Sequence, residues 1–365
     1  MNSTGSVVSG LEDLRSSPSL SKRQLRSQTT HGQEKRGKRG FGRHTAGTTG
    51  EPTQITLDRK ELARMLAVRD YCFRHYGLKL GQREARLWGR PEAGIKSRLK
   101  NFVMNRRVFH PVGAQAKDEV ADLLSWKPDY LYGYASLLLE AAQILDGMEI
   151  EFDPPRCVVC TAESILPAQK AYISRAFKAP VAEEYGSTEF DVIAFECTTG
   201  HRHLVNPWLI VEEGEDNGLI SDVSRTSQSL IRYQLGDLFA IKGLGCGALG
   251  AVESIEQLQG RTLDRFFYLS EGNKIHASAF SKLFDQYLTE TKDLFLFSLR
   301  QDAYSELKVF IDSAPKNGTT DLKEFLEREI SGFAGVRIGV EVSVVANRDR
   351  SEKRNYFVQN MKAPE

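Results

Sequence analysis

The sequence predicts an α/β fold: a large N-terminal domain of α/β layers with an antiparallel β subdomain, followed by a small, mobile C-terminal α+β domain. Three observations support this prediction. After residue 43, short apolar segments alternate with longer amphipathic segments, as in layered α/β folds. From residue 203 the pattern changes to short strands joined by turns. Beyond residue 260 the order is strand, helix, two strands, helix and strand, which indicates a separate small domain.

Composition limits the class of protein. A chain of 365 residues with 41% apolar and 9% aromatic residues can bury a sizeable core, which excludes a wholly disordered protein. No run approaches the roughly 20 apolar residues of a membrane span, and the first residues lack the apolar stretch of a secretory signal. Five cysteines form an odd set, which favours reduced thiols over a disulfide framework. We therefore expect a soluble cytoplasmic protein without membrane insertion.

Charge is balanced overall but not along the chain. The sequence has 49 basic and 48 acidic residues, and residues 1–43 hold nine of the basic and three of the acidic ones. The stretch QEKRGKRG is rich in glycine and charge and has nothing to bury, so we expect a basic tail that is flexible in part. The alternative is a nucleic-acid arm, but no aromatic residues are interleaved with these charges. We expect no nucleic-acid partner.

Hydrophobic spacing assigns the elements of the first α/β layers. Within residues 114–125, Val120, Leu123 and Leu124 lie on one helical face, and Pro128 separates this helix from a short buried strand. The same reasoning predicts a helix around Leu137–Leu145, a strand over 156–163, a helix over 166–177 and a strand over 180–189.

The later elements follow in order. Antiparallel strands are expected over residues 203–213, 219–224 and 230–241, with Asp216, Asn217 and Gly218 suited to a hairpin turn. Helices are expected over residues 277–288 and 320–330. The predicted domains are a basic tail (1–43), a core domain (44–260) and a C-terminal lid domain (261–365).

The segment His44–Pro52 contains two glycines and three threonines. Backbone N–H groups and hydroxyls of such a loop can wrap around a polyphosphate, because glycine permits tight turns and close approach. The segment is not a P-loop, since no Lys-Ser/Thr pair follows the glycines. A flexible surface loop is the alternative interpretation.

Three further segments carry candidate chemistry. Tyr185–Glu189 places a carboxylate beside two hydroxyls at a strand end, which suits magnesium on a polyphosphate. In Leu230–Asp237, the carboxylate after a glycine turn can accept two ribose hydroxyls. Gly260-Arg261 with Asp264 is followed about 90 residues later by Ser351–Arg354. Taken singly, each segment also fits a turn, an edge strand or a solvated charge.

The order of these segments resembles the adenylate-forming superfamily of acyl-CoA synthetases, and within it the phenylacetate-CoA ligase branch and its relatives in capsular-polysaccharide clusters. The resemblance runs from about residue 10 to the C-terminal end. It rests on LEDLRSSPSLSKRQLRS, WKPDYLYGYASLLLEAA, TAESILPAQKAYISRAF, EEYGSTE, SLIRYQLGD, LQGRTLDR and KRNYFV. Several matches in one order are far more specific than any single one.

The resemblance implies a role for each matching residue. The phosphates would be bound by Thr45, Gly47, Thr48, Thr49 and Gly50, and the adenine by Ala162, Glu163, Ser164 and Tyr185. Gly186 and Ser187 would contribute to the nucleotide site, Thr188 would contact the α-phosphate, and Glu189 would hold Mg²⁺. Asp237 would bind the ribose, with Arg261 nearby. Lys353 would reach the bridging oxygens of the substrate carboxylate and the α-phosphate, so the catalytic residues would be Lys353, Glu189 and Thr188.

Two departures from the family pattern favour an inactive member as an alternative. Glu352 stands where relatives usually have glycine before the catalytic lysine. Leu263 stands at the hinge position that is usually acidic, and Asp264 follows it. The segment ahead of the phosphate loop is also short for the branch, which suggests a trimmed N-terminal part.

Cys197, His201, His203 and Cys246 are candidate zinc ligands, because thiols and imidazoles are the ligands of tetrahedral zinc. Relatives often have Cys, His and a Cys-x-Cys pair in this region. Here Leu244 replaces the first cysteine of that pair, so His201 would complete the set. Reduced thiols and surface histidines are the alternative.

The predicted activity is ATP-dependent activation of a carboxylic acid to acyl-AMP, followed by transfer to CoA or a carrier thiol. An amine or hydroxyl acceptor in polysaccharide biosynthesis is the first alternative. Tyr132, Tyr134 and Ser136 either line an acyl pocket or belong to an aromatic core strand. The expected cofactors are ATP, Mg²⁺ and, less strongly, CoA and zinc, and a homodimer is compatible with the sequence.

Overall fold

The computed structural model describes residues 10–32, 41–44, 53–89, 94–214, 217–243, 246–251, 253–261, 266–270, 273–345 and 356–361. The chain forms two compact units. The first unit contains residues 1–72 and 185–258, and the second contains residues 73–184 and 259–365. Each unit has an apolar core of its own. The division into a tail, a core domain and a C-terminal lid domain stays a prediction.

The helices of the described residues are α1 (Leu11–Ser16), α2 (Lys22–Gly32), α3 (Arg59–Arg74), α4 (Ile95–Val103), α5 (Ala116–Ser125), α6 (Ala135–Asp146), α7 (Pro167–Phe177), α8 (Ala277–Thr291) and α9 (Thr319–Ala334).

The strands in the first half of the chain are β1 (Phe41–His44), β2 (Gln54–Leu57), β3 (Glu84–Leu87), β4 (Arg106–Phe109), β5 (Tyr130–Tyr134), β6 (Cys157–Thr161) and β7 (Val181–Ser187). The later strands are β8 (Asp191–Glu196), β9 (Arg202–Leu204), β10 (Leu209–Glu212), β11 (Leu219–Asp222), β12 (Tyr233–Gln234), β13 (Asp237–Gly243), β14 (Glu253–Arg261), β15 (Phe266–Ser270), β16 (Asn273–His276), β17 (Phe297–Ala303), β18 (Glu306–Ile311), β19 (Gly339–Val344) and β20 (Phe357–Gln359).

A parallel sheet forms the centre of the second unit. Its strands pair in the order β4-β3-β5-β6-β7, and every pairing is parallel. All residues of β5 and β6 are buried, as expected for strands covered on both faces. Helices α5, α6 and α7 supply the apolar side chains of the adjoining core. Cys157 and Cys160 are buried in β6, so the sequence C-x-x-C belongs to the core.

The second unit also contains the C-terminal elements. Strands β19-β18-β17-β20 form a four-stranded sheet, and α8 and α9 pack on it through an apolar cluster. The rings of Phe284 on α8 and Phe297 on β17 stack with centroids 3.7 Å apart. The predicted order of helices and strands beyond residue 260 is confirmed, with two additional strands: one at the start, where β15 and β16 form a hairpin, and β20 at the end.

The first unit is built from antiparallel pairs. β1 pairs with β2, β10 with β11, β11 with β12, and β9 with both β8 and β14. The predicted strand over residues 230–241 is interrupted, because Gly236 adopts a left-handed φ of 90° between β12 and β13. Leu14 of α1 and Leu25 of α2 are buried, so the described part of the basic segment packs on the folded chain. Among the described helices, none combines the length and apolarity that a membrane crossing needs.

Candidate functional site

The segment Tyr185–Glu189 begins at the end of β7 and continues into a turn. Gly186 is required here for a steric reason. A Cβ at this position would lie 2.3 Å from the backbone oxygen of Asp191, which is far inside van der Waals contact. The turn therefore folds back tightly, and a side chain at residue 186 would push its two limbs apart.

Tyr185 is buried and forms a hydrogen bond with Asp237, the first residue of β13. The tyrosine hydroxyl donates to Asp237 Oδ2 at 2.9 Å. Burial, followed by the negative charge of Asp237, raises the pKa of Tyr185 well above its ordinary value, so the phenol stays a donor. The structure thus brings together the aromatic residue expected at the adenine and the carboxylate expected at the ribose.

Glu189 is a buried carboxylate held by two residues. The hydroxyl of Tyr233 on β12 donates to Glu189 Oε1 at 3.0 Å, and Arg225 Nη1 donates to the backbone oxygen of Glu189 at 2.6 Å. Burial and then the charge of Glu189 raise the pKa of Tyr233, so this phenol also stays protonated. The result is an acidic side chain of fixed orientation, whose partner Tyr233 belongs to the same core cluster as Tyr185.

Asp191, two residues beyond Glu189, binds two arginines. Arg43 of β1 lies 3.3 Å from Asp191 Oδ2, and Arg69 of α3 pairs with Oδ1. Burial by itself would raise the pKa of Asp191, but the two guanidinium groups hold it below its ordinary value. Arg43 directly precedes His44, the first residue of the predicted phosphate loop. The ion pair therefore joins the chain entering that loop to the turn that carries Glu189.

Helix α3 is anchored firmly enough to hold Arg69 in place. Asp58 and Glu61 form a reciprocal capping box, in which each side chain accepts the backbone N–H of the other at 2.8 Å. Glu61 Oε1 also accepts the backbone N–H groups of Thr226 and Ser227 at 2.8 and 2.9 Å. One buried carboxylate thus connects the start of α3 to the segment that leads into Tyr233 and Asp237.

Sequence reasoning missed the residues that orient the predicted ones. Tyr233 stands inside the motif Leu230–Asp237, three residues before the glycine of the turn, and this position could have indicated its role. Arg43 stands next to the predicted phosphate loop. Arg69, Arg225 and Asp191 offered no local signal, because their roles depend on contacts across more than 30 residues of chain.

The predicted adenine-binding residues of the second unit follow β6. Ala162 has a left-handed φ of 68°, which turns the chain sharply after the strand. Glu163 Oε2 accepts the backbone N–H of Ser136 at 2.9 Å and so satisfies a donor at the start of α6. Ser164 is exposed. These three residues form a loop beyond the carboxyl end of a parallel strand, where ligands of open α/β sheets bind.

An aromatic cluster lies on β5 and at the end of the neighbouring strand β3. Trp88 lies against Tyr134 with ring centroids 4.1 Å apart, and the guanidinium of Arg86 lies 4.5 Å from the centroid of Tyr132. The hydroxyl of Tyr132 donates to Glu184 at 2.6 Å. Both tyrosines are buried, so they are part of the core; whether they also line an acyl pocket stays a prediction.

Several predicted residues lie outside the described part of the chain: Thr45, Gly47, Thr48, Thr49, Gly50, Leu263, Asp264, Glu352 and Lys353. For Arg261 the structure describes the backbone alone, at the end of β14.

Four predicted metal ligands meet in the first unit. The ligand atoms of Cys197, His201, His203 and Cys246 all lie within 4.8 Å of one another. The two sulfurs are 3.9 Å apart, and the hydroxyl of Thr199 lies 3.1 Å from Cys197 Sγ and 3.3 Å from Cys246 Sγ. A tight turn from residue 197 to residue 201 positions the first two ligands, with Cys197 N–H donating to the oxygen of His201 at 2.9 Å.

This geometry fits a tetrahedral zinc ion. With Zn–S bonds of about 2.3 Å, tetrahedral angles require sulfurs about 3.8 Å apart. His203 Nδ1 lies 3.1 Å from the carbonyl oxygen of Ala251 and must donate to it, which leaves Nε2 as the unprotonated ligand atom. Within the described chain, Nε2 is buried and has no hydrogen-bond partner. The hydrogen bond with Thr199, followed by those with Ala248 and His201, lowers the pKa of Cys246 to about 6, which favours the thiolate that zinc binds.

Comparison with known proteins finds two distant sequence relatives and no matching family model. The chain is 24% identical to protein CapK of Staphylococcus aureus over 208 residues, which are 53% of this chain and 46% of CapK. It is 32% identical to the indoleacetate–lysine synthetase of Pseudomonas savastanoi over 129 residues, 33% of this chain and 32% of the synthetase. The matched segments thus span less than half of either relative.

Solved structures share the fold over a larger part of the chain. A 2-hydroxyisobutyryl-CoA ligase in the postadenylation state superposes with a TM-score of 0.71 at 17% identity, covering 96% of this chain and 81% of the ligase. The anthranilate CoA ligase AuaEII gives a TM-score of 0.57 at 13% identity and covers 83% of this chain and 63% of AuaEII. ATP-bound MatB from Rhodopseudomonas palustris gives a TM-score of 0.52 at 14% identity, and the match covers 87% of this chain and 65% of MatB.

The structural matches establish the fold, and the two sequence matches add distant homology to CapK and the indoleacetate–lysine synthetase. The chain therefore has the fold of these acyl-CoA ligases, and parts of it are similar in sequence to CapK and to the indoleacetate–lysine synthetase.

Proposed function

We propose that this chain joins a carboxylic acid to the α-phosphate of ATP, releases pyrophosphate, and transfers the acyl group of the acyl-AMP to CoA or a carrier thiol. The observation that carries the proposal is the pair of tyrosine–carboxylate bonds, Tyr185 to Asp237 and Tyr233 to Glu189. Both tyrosines belong to one core cluster, and each orients a carboxylate acceptor. Two such acceptors suit a nucleotide that presents ribose hydroxyls and a magnesium-neutralised phosphate chain.

In this proposal Asp237 accepts the ribose hydroxyls, while Glu189 holds the magnesium ion, which would supply positive charge to the phosphates. The buried carboxylate fits a hard cation, since it offers oxygen ligands and one of its oxygens is fixed by Tyr233. Arg43 and Asp191 hold the entry to the phosphate loop, whose Thr45, Thr48 and Thr49 would bind the phosphates. Arg261 would adjoin the ribose, and Ala162, Glu163 and Ser164 would line the adenine.

Lys353 is the proposed catalytic cation. The carboxylate and the α-phosphate are both anions, so their reaction requires alignment and positive charge where negative charge accumulates. A lysine that contacts the bridging oxygens chiefly in the transition state lowers the barrier without tightening ATP binding to the same degree. Thr188 would assist as a hydroxyl donor to the α-phosphate.

The four-residue cluster of Cys197, His201, His203 and Cys246 is proposed to hold a structural zinc ion. Four protein ligands leave no open coordination position for a substrate, so the ion would stabilise the fold and take no part in the reaction.

A second candidate function transfers the activated acyl group to an amine or hydroxyl. The observation that favours it is the 32% identity over 129 residues to an enzyme named for joining indoleacetate to lysine. The similarity to CapK is the reason to include polysaccharide precursors among the acceptors. Both candidates share the adenylation step, and the nucleotide residues alone do not separate them.

The experiment that tests the proposal is ATP–pyrophosphate exchange, measured with a panel of aryl and short-chain acids. At least one acid should support exchange that depends on magnesium. That acid is then incubated with CoA, lysine or a sugar hydroxyl, and the accepted nucleophile identifies the second step. Saturable ATP binding without exchange for any acid would instead favour the inactive nucleotide-binding homologue, for which Glu352 and Leu263 are the sequence argument.

A further inference from the structure

Helix α4 presents an apolar face to solvent. Ile95, Leu99, Phe102 and Val103 are 83%, 61%, 82% and 70% exposed. Their spacing of four, three and one residues puts them on one side of a nine-residue helix. Large apolar side chains scattered singly over a surface are ordinary, whereas four on one face form a patch with a binding role.

Within the segment that carries this face, residues 94–117, the charged residues all have one sign. Residues 94–117 contain six Lys or Arg residues and no Asp or Glu. Arg98 and Lys100 on α4 are exposed, and so is Arg107 on the edge strand β4. Arg106 is different, because its side chain pairs with the buried Glu84. The exposed cations therefore flank the apolar face without any acidic residue in this segment to neutralise them.

We propose that α4 binds the surface of an anionic lipid bilayer, with its apolar face among the acyl chains and Arg98, Lys100 and Arg107 among the headgroups. An apolar stripe bordered by Lys and Arg is the pattern of helices that lie in the membrane interface. A second copy of this chain fits less well, because a two-fold dimer through this face would bring cations against cations. The proposal concerns a surface contact and does not depend on the proposed adenylation.

The strength of binding should depend on both features. Each Lys or Arg near an anionic surface contributes about fivefold to the partition coefficient at physiological salt. Burial of the four apolar side chains of α4 among the acyl chains adds to this electrostatic contribution. We therefore expect measurable binding to anionic vesicles, weak binding to neutral vesicles, and loss of the difference at high salt.

Vesicle co-sedimentation of the full chain tests the proposal, with phosphatidylcholine vesicles that contain about one third phosphatidylserine or none. L99S/F102S should lower the partition coefficient at least tenfold, and R98Q/K100Q should lower it more than tenfold on anionic vesicles alone. V223S/V344S changes two apolar residues that are 55% and 45% exposed elsewhere, and should bind like the parent. Pyrophosphate exchange and thermal melting should be unchanged in all three variants.

Three results would overturn the inference. The first is no binding of the parent to anionic vesicles, which would leave an acidic protein as the partner. The second is equal binding by L99S/F102S and the parent. The third is a concentration-dependent dimer, seen by light scattering, that L99S/F102S dissociates, since α4 would then be an interface between copies.

Discussion

Arg43 lies 3.3 Å from the carboxylate of Asp191, which joins the strand before the predicted phosphate loop to the turn after Glu189. The two residues are 148 positions apart in the chain. Arg69 binds the second oxygen of the same carboxylate from α3. Three segments of the first unit therefore converge on one partly buried aspartate. Because Asp191 also supplies the backbone oxygen that excludes a side chain at Gly186, this residue organises the whole turn.

Asp191→Asn should destabilise the protein by about 3–5 kcal/mol at pH 7, because it leaves two guanidinium groups without their carboxylate. The folded-state pKa of Asp191 is lowered, so its contribution to stability is fully present above the unfolded pKa of about 3.9 and is lost as pH falls through the folded value. Urea unfolding of parent and variant at a series of pH values should show the difference shrinking below about pH 4.

The matched control for this prediction is Asp302→Asn, which removes an exposed carboxylate paired with Arg300 and Lys308. It should change stability far less, since solvent screens exposed ion pairs. A difference between parent and Asp191→Asn that stayed constant down to pH 3 would contradict the assigned ion pair.

Tyr233→Phe keeps the buried ring and removes the hydroxyl that holds Glu189 Oε1. Because that buried acceptor is left without its donor, the free energy of unfolding should fall by about 1–3 kcal/mol. If Glu189 holds magnesium, the variant should also need a higher magnesium concentration for half-maximal pyrophosphate exchange.

Tyr287→Phe removes the equivalent bond from Tyr287 to Asp321 in the C-terminal elements and is the control. It should lower stability without moving the magnesium requirement. Identical magnesium curves for Tyr233→Phe and the parent would argue against a role for Tyr233 in positioning Glu189.

Gly186→Ala tests the close approach at the turn. The Cβ of the new alanine would lie 2.3 Å from the backbone oxygen of Asp191, so the backbone must shift. This shift should lower the free energy of unfolding by about 1–3 kcal/mol. Gly332→Ala has open space around its Cβ in α9, and it should be neutral or slightly stabilising because alanine favours a helix. Thermal melts of the two variants check the prediction, and an equal response from both would contradict it.

Metal analysis of the purified protein should find about one zinc per chain, bound by the Cys197–Cys246 cluster. Cys246→Ser should lose the metal and lower the melting temperature, and a chelator should have the same effect on the parent. Cys160→Ala changes a buried cysteine of β6 that is not in the cluster, and should retain zinc. Well under one zinc per chain in the parent would refute the assignment.

Much of the fold could be predicted from local patterns. The helices predicted around residues 114–125 and 166–177 are α5 and α7, because their apolar residues repeat at helical spacing. The break between β12 and β13 was missed: a glycine inside an apolar run does not by itself reveal a left-handed φ. The packing of Leu25 was also missed, because α2 is basic and its buried leucine joins a core cluster whose other residues include Leu230 and Tyr233, about 200 positions away.

The residue types of the candidate site could be predicted from the sequence, but the residues that orient them could not. Glu189 and Asp237 stand in recognisable motifs, whereas the tyrosines and arginines that orient them act across the chain. The cluster of four candidate zinc ligands could be predicted because three of them fall within seven residues. The partner of each His nitrogen, such as Ala251 for His203, depends on tertiary structure.

The most direct test of the proposed adenylation is pyrophosphate exchange by Lys353→Ala, with the acid that supports exchange in the parent. Exchange should fall by two or more orders of magnitude, which corresponds to an increase of roughly 3 kcal/mol or more in the activation barrier, while ATP affinity should fall only modestly. Equal exchange rates in variant and parent would contradict this prediction, and would remove Lys353 from the mechanism.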